Sequence, residues 1–240
     1  MKQPIIYPLI VAAGTGSRFG ADKPKQYLSI CGKTVLEHSI ARLNHCKFDS
    51  LTLVLSADDA YADALMPKFR ASFTGQIHHA IGGVERWQSV MNGLAIICEL
   101  GGGDDDWVLI HDAARPCLPS ADLDNLIAKI ETGDDMQAVI LATAVVDTLK
   151  YAKNHRIEHT VNREHLWQAL TPQAFKIGTL KAAFRHVLDT KNPITDEASA
   201  CEMVGVPVHI VPASRMNIKL TYADDLPLIQ NILSGMTPSG

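Results

Sequence analysis

The chain has 240 residues, a formal charge of −4 at pH 7 and a hydrophobic fraction of 47%. That length and composition suit one large α/β domain or two small ones. A mildly acidic chain has no general electrostatic attraction for nucleic acid, so phosphate binding would need a local basic site. The cysteines, Cys31, Cys46, Cys98, Cys117 and Cys201, are scattered and never in C-x-x-C spacing. They exclude a disulfide framework or zinc knuckle and point to a reducing cytosol. Pro4 and Pro8 interrupt the apolar N-terminus, against a signal peptide. No run approaches the ~18 apolar residues of a membrane span.

In chain order, residues 5–11 form a short apolar run that reads as a buried strand. Gly14, Gly16 and Gly20 follow, with Arg18, Lys23 and Lys25 among and just after them. Clustered glycines imply a sharply turning backbone approached closely. Exposed N–H groups beside cations suit a polyphosphate. The loop fits no Walker A pattern. Its Gly14-x-Gly16-x-x-x-Gly20 spacing is one residue too long for a dinucleotide fingerprint. Pro24 disfavours an immediate helix at Lys23.

Thr34 caps a predicted helix over 34–43. A strand is predicted at 51–55, a helix at 57–69, a strand at 76–81 and a helix at 84–100. A strand at 107–110 ends at His111-Asp112. Ser120 is read as the cap of a helix reaching about Thr132, and 138–142 is the next strand. Strands alternating with helices predict a single doubly wound, mostly parallel sheet, Rossmann-like, covered on both faces. In such sheets ligands sit beyond the carboxyl ends of the strands. The Gly14 loop and the His111-Asp112 turn are therefore expected on one crevice.

Residues 145–151 and 156–161 then read as a hairpin with its turn at 152–155. Val145, Val146, Leu149, Ile157 and Val161 need covering, which predicts a dimerisation arm at about 145–161 within a single 1–240 domain. A helix follows at 178–188, a helix start at Thr195-Asp196-Glu197, a strand at 206–211, a short extended piece at 217–220 and a closing helix at 223–233.

The candidate chemistry lies at strand ends. HDAARP holds Asp112 and Arg115; GGVERWQSV holds Gly82, Gly83, Arg86 and Ser89; MNIKLT holds Asn217 and Lys219. Arg18, Lys25, Arg86, Arg115, Arg163 and Lys219 all fall in loops or at element ends. In a net acidic chain these favour a polyanionic substrate.

These segments, with AAGTGSRFG, PKQY, HTVNREHLWQALTPQ and ITDEA, occur in one order along the whole chain. Together they resemble the 2-C-methyl-D-erythritol 4-phosphate cytidylyltransferases of the non-mevalonate isoprenoid pathway. The resemblance implies that CTP and methylerythritol phosphate give the cytidine diphospho product and pyrophosphate. The substrate phosphate would attack the CTP α-phosphate in line. It also implies a nucleotidyltransferase fold, a homodimer and a divalent cation, usually Mg²⁺. By motif position, Arg18, Lys25, Arg163 and Lys219 would be catalytic. Ala12, Ala13, Gly14, Gly16, Gly82, Gly83, Ser89, Asp112 and Ala113 would frame the nucleotide. Asp112, Arg115, Thr148, Arg163, Thr171, Thr195 and Lys219 would hold the small polyol phosphate. Asp112 is the candidate metal contact, since Mg²⁺ binds largely through phosphates and water.

A ribitol 5-phosphate cytidylyltransferase is the nearest alternative. Its relatives tend to have Ala-Gly-Gly at Ala12-Ala13-Gly14 and Ser-Val at Ala113-Ala114, which favours the methylerythritol enzyme. A CTP sensor without turnover, and a Rossmann dehydrogenase, are further alternatives. Met216 and Trp87-Gln88 depart from the family's usual polar residues.

Overall fold

The computed structural model describes residues 4–14, 23–133 and 135–236. Among them, seven strands form one sheet in the order β11-β7-β10-β6-β1-β4-β5. These are β1 (Ile6–Val11), β4 (Ser50–Leu55), β5 (Gln76–Ile81), β6 (Trp107–Asp112), β7 (Ala138–Ala144), β10 (Trp167–Lys176) and β11 (His209–Pro212). β1 runs parallel to β4 and β6, β4 to β5, and β11 to β7. The expected mostly parallel sheet is observed. The inner strands β1, β4, β6 and β7 are largely continuous apolar runs because helices cover both faces.

On one face, α1 (Val35–Arg42), α2 (Ala62–Ala71) and α4 (Ser120–Thr132) pack Leu36, Ile40, Phe69, Leu123 and Leu126 against Ile10, Leu53, Leu109 and Leu141. On the other, α3 (Arg86–Glu99), α5 (Ile177–Thr190) and α6 (Glu197–Met203) pack Val90, Ile97, Leu180 and Phe184 against Leu9, Val54, Ile110 and Phe175. α7 (Asp225–Gly235) closes a smaller cluster with Val35, Cys117 and Leu220. No helix among the described residues is long and apolar enough to cross a membrane.

Several local expectations shift. Thr34 caps α1 as read, in a reciprocal capping box with Glu37. α2 starts later than 57, because Asp59 Oδ1 accepts the N–H groups of Tyr61 and Ala62 and holds the preceding residues in a turn. Ser120 is the first helical residue of α4 rather than its cap, which is Pro119. Residues 217–220 join no ladder. A small ribbon, β2 (Ser29–Ile30) with β3 (Lys33–Thr34), also escaped the sequence pattern.

The main omission is β10. It lies between β6 and β7 and is antiparallel to both. Pro172 sits inside it, and a proline argues against a central strand. The register shift between Ala169 and Gln173 accommodates it, as β-bulges do.

A hairpin is present in the expected region, but its first strand starts at Lys150 rather than 145 and runs to Lys153, so the turn is only Asn154-His155. Among the described residues β8 (Lys150–Lys153) and β9 (Arg156–Thr160) pair only with each other, and all their residues are exposed. Asn154 and His155 take positive φ values of 48° and 61°, as a two-residue hairpin turn requires. Val146, Leu149, Ile157 and Trp167 remain exposed along and beside it.

Candidate active site

The carboxyl ends of β1 and β6 are in register, Val11 beside Asp112, and β4 flanks β1. Beyond those ends lies a cleft of about 380 Å³ lined by Ala12, Ala13, Gly14, Lys25, Gln26, Gly83, Arg86, Ser89, Asp112, Ala113 and Lys219, among others. That volume suits a small-molecule ligand. The glycine turn and the His111-Asp112 turn thus share a crevice, as expected. Gly16, Arg18 and Gly20 lie outside the described residues.

Backbone geometry builds the first wall. Ala12 N–H donates to Val54 O at 2.8 Å and Gly82 N–H to Leu55 O at 2.7 Å. A Cβ on Gly82 would stand 2.3 Å from the Ala13 Cβ and 3.0 Å from Ser89 Oγ. Only glycine lets these two turns touch. Ser89 Oγ accepts Gly83 N–H at 3.0 Å and fixes the second turn. Gln26 was not singled out from the sequence. Its Nε2 donates to Ala12 O and Gly14 O at 2.8 and 3.0 Å, so it holds the first turn open. The departures at 87 and 88 have structural jobs. Gln88 Oε1 accepts Glu85 N–H at 2.9 Å, and Trp87 packs near Phe184.

The other wall is an ion cluster around Asp112. Its Oδ1 accepts from Arg86 Nε and Nη2 at 3.3 and 3.1 Å; its Oδ2 accepts from Lys219 Nζ at 2.7 Å and lies 3.9 Å from Arg115 Nε. Arg86 Nη1 reaches both carboxylate oxygens of Glu197 at 2.6 Å. Glu197 is fully buried. Burial opposes the Asp112 charge, but Arg86, Lys219 and Arg115 outweigh it and hold the carboxyl far below the usual carboxylate range. Burial likewise opposes the Arg86 charge, and Glu197 and Asp112 overcome it. Three cations against two carboxylates leave this cluster with one uncompensated positive charge.

Behind it lies a hydrogen-bond relay. His111 Nε2 lies 3.0 Å from Arg115 O, a pure acceptor, so Nε2 carries the proton and Nδ1 accepts from Thr171 Oγ1 at 3.0 Å. Thr171 Oγ1 in turn accepts Asp112 N–H at 3.1 Å. Arg115 donates to Asn217 O at 2.7 Å, and Asn217 Nδ2 to Thr171 O at 2.7 Å. Lys25 Nζ donates to Leu220 O at 2.7 Å, tying the basic loop to the segment that carries Lys219.

The structure therefore gathers Ala12, Ala13, Gly14, Lys25, Gly83, Ser89, Asp112, Ala113 and Lys219 on one cleft. It sets Arg115 and Thr171, both buried, behind the wall as supports. Thr195 is exposed next to the α6 cap. Thr148 and Arg163 sit at the exposed base of the hairpin, where Arg163 donates to Val146 O. They do not line the cleft of their own chain.

The family sequence model for 2-C-methyl-D-erythritol 4-phosphate cytidylyltransferase matches residues 6–235. The chain belongs to the 2-C-methyl-D-erythritol 4-phosphate cytidylyltransferase family. A relative bearing that name from Alteromonas mediterranea is 45% identical, over 96% of this chain and 93% of its own. One from Pseudomonas putida is 42% identical over 97% of both. Among solved structures, a 4-diphosphocytidyl-2C-methyl-D-erythritol synthase is 37% identical with a TM-score of 0.81, covering 97% of this chain and all of that one. The Francisella tularensis cytidylyltransferase follows with 33% identity and 0.77, over 95% and 99%. Arg86, named from the sequence as a strand-end cation, lines the cleft; Gln26 on the cleft and Glu197 behind Arg86 are added by the structure. Gln26 was legible as the only amide in PKQY; Glu197 looked like an ordinary helix-start acid.

Proposed function

We propose that the cleft joins CTP to 2-C-methyl-D-erythritol 4-phosphate, releasing pyrophosphate, in isoprenoid precursor synthesis. The observation that carries this is the meeting of the Ala12–Gly14 turn, Lys25 and the Asp112–Lys219 pair in one cleft, in a chain that matches the family over nearly its whole length.

The chemistry needs little from a base, because the attacking phosphate is already an anion at pH 7. Its oxygen forms a bond to the CTP α-phosphorus as the bond to the β-phosphate oxygen breaks, and the electron pair leaves with pyrophosphate. Catalysis is then positioning and charge stabilisation. In this reading the Ala12–Gly14 turn, Gly82, Gly83, Ser89 and Ala113 frame the nucleotide. Lys25 faces the triphosphate and the charge growing on the α-phosphate, a role that motif position also assigns to Arg18. Lys219, paired with Asp112 at 2.7 Å, faces the acceptor phosphate, and Arg115 and Thr171 back the Asp112 turn. Thr195, exposed at the start of α6, is assigned to the acceptor by motif position alone.

A divalent cation would neutralise CTP oxygens. Among the described residues no three His, Cys, Asp or Glu side chains cluster to hold one, and both Asp112 oxygens already accept from cations. The residues present therefore fit Mg²⁺ carried mainly on phosphates and water, with Asp112 offering at most one contact.

We further read the chain as one nucleotidyltransferase unit whose hairpin is a dimerisation arm. Six exposed apolar side chains along its strands and base, Val146, Leu149, Tyr151, Ile157, Leu166 and Trp167, support covering by a second copy. Arg163 and Thr148 would then serve the partner's cleft. The free cysteines support a cytoplasmic setting.

The deciding assay is pyrophosphate release from CTP with either methylerythritol 4-phosphate or ribitol 5-phosphate. Release with the first, abolished by excess chelator, is expected. Faster turnover of ribitol 5-phosphate would overturn the substrate assignment, and chelator-resistant activity would overturn the cation.

A further inference from the structure

We infer that Arg86 and Glu197 form a tether that positions the acceptor half of the site. Arg86 is here a positioning residue that acts through Asp112. This rests on the cytidylyltransferase reading above, with the acceptor phosphate at Lys219.

Arg86 is the first residue of α3 and follows the Gly82–Glu85 turn of the nucleotide wall. Glu197 is the first residue of α6, next to Asp196, whose carboxylate caps that helix through Ser199 N–H at 2.9 Å. The two helices start from different parts of the chain, and a single guanidinium joins them. Nη1 is committed to Glu197 at 2.6 Å; Nε and Nη2 are committed to Asp112 at 3.3 and 3.1 Å. Four of the five guanidinium N–H groups are thereby used. What remains for a ligand is slight, although Arg86 lines the cleft.

The consequence falls on Asp112. With Oδ1 held by Arg86, the carboxylate plane is fixed and Oδ2 presents one lone pair to Lys219 at 2.7 Å. Without that grip Oδ1 loses both of its hydrogen bonds, the carboxylate can turn about the contacts left on Oδ2, and the ammonium it holds moves with it. Glu197, having no solvent contact, has no other charged partner among the described residues, so it in turn fixes Arg86. A lysine at 86 would keep the charge, but a point-like ammonium cannot fork to two carboxylates.

Two variants separate this from the bland alternatives. Glu197→Gln keeps every cleft residue and nearly the same shape; Arg86→Lys keeps the charge. Pyrophosphate release gives kcat and KM for methylerythritol 4-phosphate, and calorimetry gives Kd for CTP alone. Each variant should raise the acceptor KM by about tenfold or more, the scale for a misplaced positioning group. Kd for CTP should stay within about threefold. The double variant should be no worse than the poorer single one, because both break the same tether. An acceptor KM within about threefold of wild type in Glu197→Gln overturns the tether. A CTP Kd that rises in step with the acceptor KM also overturns it, placing Arg86 on the nucleotide. If Arg86→Lys does not fold, judged by its thermal transition, Glu197→Gln decides alone. Wild-type enzyme releasing no pyrophosphate would instead overturn the functional reading itself.

Discussion

Acidification from pH 7 to 5 should cost this fold about 2 kcal/mol through His111 alone. The ring is fully buried at the end of β6, and burial pushes its pKa down from 6.5 to about 4, against the pull of Asp112. The relay explains why the cation is unwelcome. Thr171 already gives its hydroxyl proton to Nδ1; a proton on Nδ1 would leave that hydroxyl without an acceptor. Between pH 6.5 and 4 the unfolded chain holds more protons than the folded one, so stability falls as pH falls. The full span of about 2.5 pKa units is worth roughly 3.4 kcal/mol, of which about 2 is lost by pH 5. His38, also lowered chiefly by burial, acts in the same direction, whereas Asp122, raised by burial, acts in the opposite one near the acid end. The informative quantity is therefore a difference between two proteins. His111→Gln keeps a donor toward Arg115 O and cannot titrate. Urea unfolding at pH 7, 6 and 5, followed by fluorescence to which the covered Trp107 contributes, gives both stabilities. Wild type should lose about 2 kcal/mol more than His111→Gln over that range. A difference under roughly 0.5 kcal/mol would show that the buried imidazole does not govern acid lability.

The remaining expectations concern catalysis and assembly. Alanine at Lys25 or Arg18 should lower kcat by roughly a hundredfold or more, the scale for losing a preorganised donor, with KM for CTP free to rise; values within about threefold for both variants would make them surface charges. Lys25→Ala and Arg163→Ala proteins, each inactive alone, should recover roughly a quarter of wild-type activity after being dissociated and reassociated together, since about half the dimers are mixed and each regains one of two sites. No recovery in mixed dimers shown to have formed would place Arg163 in its own chain's site.

The parallel part of the sheet was legible because strands buried on both faces must be continuous apolar runs, as 51–55 and 107–110 are. The two glycine turns that wall the cleft, at Gly14 and at Gly82-Gly83, were legible as glycines at strand ends. The hairpin showed through its alternation and turn. These features are local: each follows from residues within a few positions of one another.

What only the tertiary structure decided is which distant side chains meet. β10 reads poorly as a strand because Pro172 lacks an N–H, and it becomes central only once β6 and β7 flank it and a register shift absorbs the proline. Arg115 and Thr171 read from the sequence as ligand contacts; that both are also buried beside Asp112 and His111 is seen only in the fold. The pairing of Arg86 with Glu197, 111 positions apart, has no trace in either motif. Residue types and local spacing determined the elements and the cations available. The charge balance at Asp112 depends on distances of about 3 Å between four separate segments, and packing both sheet faces is what brings them there.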